Sequence, residues 1–151
     1  MSGDLRELYQ EVILDHSKRP RNFGALPQSN RRAEGYNPLC GDRITVYMLV
    51  EDGVVAAVAF EGAGCAICTA SASMMTQALV GKTEAEVEGL FRGFHALVTE
   101  ETALNADTSK LGKLSVFAGV REFPIRVKCA TLPWHTMRAA LENQAAPVTT
   151  E

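Results

Sequence analysis

The sequence predicts an α+β fold, a small antiparallel sheet packed against several helices. Three observations carry that reading: a helix-period segment opens the chain, two β-rich runs joined by a tight-turn signal follow, and the remainder is mostly helical in pattern. Strands therefore do not alternate with helices as a parallel sheet would require.

Leu5, Leu8, Tyr9, Val12 and Ile13 recur at three-to-four spacing and define a short amphipathic helix, limited by Pro20 because the residue before proline avoids the α region. Residues 18–32 hold Lys18, Arg19, Arg21, Arg31 and Arg32 with two prolines and Gly24, and read as a basic loop, either simply solvated or facing an acidic partner. Residues 43–50 and 54–60 flank Glu51-Asp52-Gly53 and form a β-hairpin. Residues 65–80 are rich in Ala, Met and Leu, lack Gly and Pro, and read as a helix closed by a left-handed Gly81, with Met74 and Met75 in the core. Thr83-Glu84-Ala85-Glu86 is a capping box opening a helix through Val87, Leu90, Phe91 and Phe94. Residues 111–120 read as another short helix. Residues 123–129, with Ile125, Val127 and Cys129 alternating against Arg126 and Lys128, read as extended. Thr131 is then expected to cap a last helix that carries Trp134, Met137 and Leu141 on one face and Pro133 in its first turn.

The 151 residues show no internal repeat or Gly/Ser linker and are expected to form a single domain, 1–151. A chain of this length buries roughly two thirds of its unfolded surface, and its 46% hydrophobic content supplies a core without cross-links. Lys plus Arg total 15 against 18 Asp plus Glu, a formal charge of −3 without a basic block, which argues against nucleic-acid binding through phosphate neutralisation. No apolar run approaches the roughly 20 residues of a membrane span, and the N-terminus lacks a signal-peptide layout. A cytoplasmic protein is expected. Thiols stay reduced there, so Cys40, Cys65, Cys68 and Cys129 point to metal binding, sulfur chemistry or packing more than to disulfides.

In extended Cys40-Gly41-Asp42 the thiol and carboxylate point the same way, since side chains alternate with period two; Asp and Gly before a strand also suit a plain turn. Gly62-Ala63-Gly64-Cys65 delivers a cysteine to a helix start, where N–H groups and the dipole favour a thiolate, although a small residue can equally pack there. Cys68 completes Cys65-Ala66-Ile67-Cys68, but no second C-x-x-C makes a zinc ribbon and no βαβ unit surrounds it, so it reads as core-facing. Cys129 falls at the expected strand-to-helix junction. Three cysteines at such junctions exceed what packing predicts, and with Asp42 they make a Cys₃Asp set suited to tetrahedral zinc. His16, His95 and His135 have no metal-ligand spacing and read as structural or surface residues, His16 complementing the dipole at its helix end.

Four ordered motifs carry a resemblance over residues 5–143. They are Leu8-Tyr9 with Asp15-His16 and Pro20-Arg21-Asn22; Asn37-Pro38-Leu39-Cys40-Gly41-Asp42; Gly64-Cys65-Ala66-Ile67 with Ala70-Ser71-Ala72-Ser73-Met74-Met75; and Arg126-Val127-Lys128-Cys129-Ala130-Thr131-Leu132-Pro133-Trp134. Together they resemble the IscU/NifU-N-type superfamily, and within it the SufU branch. Scaffold members typically carry His immediately before the third cysteine, where this chain has Lys128, and the long insert between Gly93 and Arg126, which includes Lys110 to Phe123, resembles the extra segment of the SufU branch. The resemblance implies an IscU-like fold and a zinc ion held by Cys40, Asp42, Cys65 and Cys129. It also implies sulfur transfer from a SufS-type pyridoxal-phosphate cysteine desulfurase, with downstream iron–sulfur assembly proteins as further partners. In that picture a desulfurase histidine replaces Cys40 on zinc, and the freed thiolate accepts persulfide sulfur while Arg126 assists through the partner. The competing expectation is a scaffold that assembles an iron–sulfur cluster on the same thiols; a third is a zinc module that only secures the fold.

Overall fold

The computed structural model describes residues 2–38, 41–99, 111–143 and 148–149. In chain order these form α1 (Ser2–Lys18), β1 (Arg31–Asn37), β2 (Asp42–Glu51), β3 (Val54–Ala63), α2 (Ala66–Leu79), α3 (Glu84–Thr99), a 3-10 segment (Gly112–Glu122), α4 (Pro124–Leu141) and β4 (Val148–Thr149). The sheet order is β3-β2-β1-β4, with β1, β2 and β3 antiparallel and β4 a short parallel addition at the edge. The expected α+β class and the hairpin are both found.

β2 alternates strictly, with Asp42, Ile44, Val46, Met48 and Val50 buried and the residues between them turned outward. Asp52 and Gly53, at φ 53° and 75°, form the two-residue turn into β3; positive φ at both central positions matches the twist of the strands. β1 corrects the expected basic loop, because Arg31 and Arg32 belong to a strand rather than to the connection. Its inward residues are only Ala33, Gly35 and Asn37, so no large apolar residue marks its pattern. They are small because α4 packs directly across them: a Cβ on Gly35 would stand 1.9 Å from Thr136 Oγ1.

α2 occupies the middle of the molecule, against α1, α4 and β3. Small residues let it sit there, and its buried hydroxyls are all used. Ser71 Oγ donates to the Ala130 carbonyl at 2.6 Å and accepts from Trp134 Nε1 at 3.2 Å, while Thr76 Oγ1 donates to the Ser73 carbonyl at 2.6 Å. Ser73 Oγ accepts the Arg21 N–H at 2.8 Å, so its own proton goes to His16 Nδ1 at 2.7 Å. His16 is thus a buried neutral imidazole whose pKa is lowered first by burial, and not a cation on the helix dipole as expected. Gly81, at φ +86°, ends the helix as expected, and Met74 and Met75 are core residues.

The capping box of α3 is present in both directions: Thr83 N–H donates to Glu86 Oε1 at 3.0 Å and Glu86 N–H to Thr83 Oγ1 at 3.2 Å. The expected short helix is the 3-10 segment, which contributes Leu114, Phe117 and Val120 to the core. His95 and His135 pack against Phe91, at ring-centroid distances of 6.0 and 5.3 Å. Phe94 stacks on Trp134 at 4.6 Å and meets Phe117 edge-on at 5.6 Å.

The extended segment 123–129 and the Thr131 cap are corrected. α4 runs unbroken from Pro124 to Leu141, Pro124 takes the first-turn position, and Pro133 lies inside the helix. Thr131 Oγ1 donates to the Val127 carbonyl at 2.9 Å, a helix-interior bond. The alternation misleads because Ile125 is exposed and belongs to no sheet face, while the buried stripe begins only at Cys129.

Gly35→Ala is expected to destabilise the protein by about 1–3 kcal/mol through overpacking. Urea unfolding measures it, and an unchanged midpoint would show that α4 is free to lift from β1.

Candidate metal centre

Three elements deliver three donors to one point. Gly41, at φ +71°, turns the chain into β2, whose first side chain, Asp42, is fully shielded from solvent. Cys65 is the N-cap of α2, with φ −70° and ψ 168°, and its sulfur accepts the Cys68 N–H at 3.4 Å. Cys129 lies in the second turn of α4 and is 2% exposed, so it sits within a helix and not at the strand-to-helix junction expected of it.

The carboxylate joins these pieces. Asp42 Oδ1 accepts the Cys65 N–H at 2.9 Å, and Oδ2 lies 3.8 Å from Cys65 Sγ. Donor atoms of Asp42, Cys65 and Cys129 all lie within 4.8 Å of one another. Two sulfurs on a tetrahedral zinc stand about 3.8 Å apart, from a Zn–S bond of about 2.3 Å, so small side-chain rotations suffice for all three to reach one ion. Among the described residues no ion pair involves Asp42. A buried carboxylate beside two thiols, without a basic partner there, is a setting that a cation balances. Two sulfurs and one oxygen fit zinc in donor type.

The Cys65 thiol is brought down to about 7, first by a hydrogen bond from Cys129 and then by the N–H groups of Cys68 and Ile67, against burial and the Asp42 charge. It is ionised in part at neutral pH, as the helix-start position leads one to expect.

Of the other residues singled out in the sequence, Cys68 is buried and core-facing as expected. Cys40 lies outside the described residues. Arg126 is exposed on the first turn of α4, its guanidinium 4.4 Å from the centre of the Phe123 ring, and Lys128 is half-buried. Two contributors were not anticipated. Asn37 places Nδ2 4.0 Å from Cys129 Sγ. Gly64 leaves room for the carboxylate, since a Cβ there would stand 3.1 Å from Asp42 Oδ1. In the sequence, only the place of Asn37 in the same short motif as Cys40 and Asp42 hints at such a role.

Residues 8–130 match the NifU-like N-terminal domain family. The chain is 38% identical over 141 residues to the iron–sulfur cluster assembly scaffold protein IscU of Streptococcus pyogenes serotype M1, spanning 93% of this chain and 87% of that protein. It is likewise 38% identical over 143 residues to the zinc-dependent sulfurtransferase SufU of Bacillus subtilis (strain 168), spanning 95% of each. A crystal structure from Fervidobacterium islandicum AW-1, presented as an iron–sulfur cluster assembly scaffold for the SUF system, superposes with a TM-score of 0.80 at 35% identity, covering 90% of this chain and 98% of that one. The chain belongs to the NifU-like N-terminal domain family, in its IscU/SufU group of iron–sulfur cluster assembly proteins.

Gly64→Ala forces the Asp42 carboxyl group to shift by a few tenths of an ångström. Zinc affinity is expected to fall about tenfold, the scale of disturbing a ligand's support, as read by competition with a chromophoric chelator. Unchanged affinity would count against Asp42 as a ligand.

Proposed function

We propose that this protein is a zinc-dependent sulfurtransferase that accepts persulfide sulfur from a SufS-type, pyridoxal-phosphate cysteine desulfurase for iron–sulfur cluster assembly. The observation that carries the reading is the convergence of a buried carboxylate and two cysteines within 4.8 Å, in a chain 38% identical to a protein named as a zinc-dependent sulfurtransferase. Cys40, in the four residues that join the paired Asn37 and Asp42, is the fourth ligand and the sulfur acceptor. Bound zinc holds cysteine ligands as thiolates at neutral pH.

The transfer balances without an added oxidant or reductant. The Cys40 thiolate attacks the outer sulfur of the desulfurase persulfide, a sulfur–sulfur bond forms to Cys40, and the persulfide bond breaks. The desulfurase cysteine leaves with the electron pair and takes a proton from solvent. Cys129, closed off in α4, remains in place as an anchor. Arg126, exposed three residues before it, offers a guanidinium to a carboxylate on the docking partner. No described helix is long and apolar enough to cross a membrane, consistent with work in the cytoplasm beside such a partner.

The name of the streptococcal relative favours a second reading, a scaffold that builds the cluster on the same residues and passes it to downstream assembly proteins. Lys128 supports transfer instead, because an ammonium group has no lone pair to offer iron where scaffold members of the superfamily place a histidine.

The transfer reading predicts about one zinc per purified chain, from one closed four-ligand set, and faster cysteine turnover by a SufS-type desulfurase. Cys40→Ala is expected to abolish that stimulation, and Arg126→Ala to weaken it. Full stimulation by Cys40→Ala would overturn the acceptor assignment, and a visible cluster chromophore that transfers to an apo-protein would favour the scaffold.

A further inference from the structure

Asn37 and Asp42 form the last pair of the β1–β2 ladder, and both side chains are fully shielded from solvent. Each addresses a different helix. Asp42 binds the start of α2 through the Cys65 N–H. Asn37 directs its carboxamide nitrogen to the Cys129 sulfur, 4.0 Å away in α4. The transfer chemistry described above makes no use of Asn37, yet its polar side chain is fully buried there.

The reason lies in the surroundings of the sulfur. Cys129 is 2% exposed, so water cannot solvate its ionised form. A neutral N–H donor supplies part of that lost solvation. A carboxylate of the same shape offers acceptors only and adds a second negative charge beside Asp42. An amide at this position therefore favours a thiolate and its cation, and fixes which way the sulfur points.

We propose that Asn37 is a positioning residue of the metal centre, holding the Cys129 sulfur as its fixed anchor, so that metal retention depends on this carboxamide as well as on the ligands. The inference rests on the zinc reading. It makes one cross-strand pair responsible for setting two of the three described ligands: Asp42 as a donor itself, and Cys129 through Asn37.

The test uses the full chain with Asn37→Asp, Asn37→Ser and Cys129→Ala. Zinc affinity is measured against a chromophoric chelator, and cobalt-loaded protein is examined for its thiolate-to-metal charge-transfer bands. Both Asn37 variants are expected to lose about 10–100-fold in zinc affinity, the usual effect of removing an outer partner of a ligand. Their cobalt bands should shift while the far-ultraviolet circular dichroism of the loaded proteins matches wild type. If Asn37→Asp does not fold, Asn37→Ser carries the comparison, since it cannot reach the sulfur and adds no charge. A lowered urea midpoint with zinc affinity within about twofold of wild type, well short of an outer-partner effect, would overturn the proposal and leave Asn37 a packing residue. If Cys129→Ala loses zinc while the Asn37 variants do not, only this inference fails. If Cys129→Ala binds as wild type does, the zinc reading falls with it.

Discussion

The contact between the fully buried Asp42 carboxylate and the Cys65 N–H, 2.9 Å long, ties the first residue of β2 to the start of α2. Its energetics decide what the site is for. A hydrogen bond to a charged group is worth about 1.5–3 kcal/mol, whereas burying an ion costs several kcal/mol after relaxation. One N–H does not offset that cost. Two thiols lie within reach of the same carboxylate, and they add negative charge when they ionise. The cluster is therefore a poor structural feature on its own and a good receptacle for a divalent cation.

The rest of the fold keeps these donors together. Cys129 reaches the cluster only because α4 lies tight against β1, over Gly35 and across the Thr136 hydroxyl, which is itself bonded to the Leu132 carbonyl at 2.7 Å. The stacked Trp134 and Phe94, and the Trp134 bond to Ser71, lock α4 to α3 and α2. Cys65 is fixed by the opposite means, standing half-exposed at a helix start with two N–H groups favouring its ionised form. One described thiol is thus anchored in the core and the other held at an edge, an asymmetry that the proposed transfer would use.

The parts legible in the sequence are those whose signals are local. The Asp52-Gly53 turn, the reciprocal Thr83 and Glu86 cap and the Ala-rich α2 are each encoded within a few residues. β1 was hidden because its inward positions are Ala33, Gly35 and Asn37, chosen for the close approach of α4 and not for hydrophobicity. The start of α4 is masked in the sequence because Ile125, Val127 and Cys129 imitate a two-residue period over too short a stretch, and because Thr131 with Pro133 imitates the helix start that Pro124 makes. Asp42, Cys65 and Cys129 were legible as a set from donor type, even though Cys129 sits in a helix. Asn37 and Gly64 were not, since their roles exist only once β1 meets α4 and Asp42 meets the start of α2.

Zinc X-ray absorption on the protein as purified tests the central claim most directly, because it reads the donor atoms themselves. Three sulfurs at about 2.3 Å and one oxygen at about 2.0–2.2 Å are predicted for Cys40, Cys65, Cys129 and Asp42. A shell of nitrogen and oxygen alone, or a sulfur count unchanged by Cys129→Ala, would contradict it.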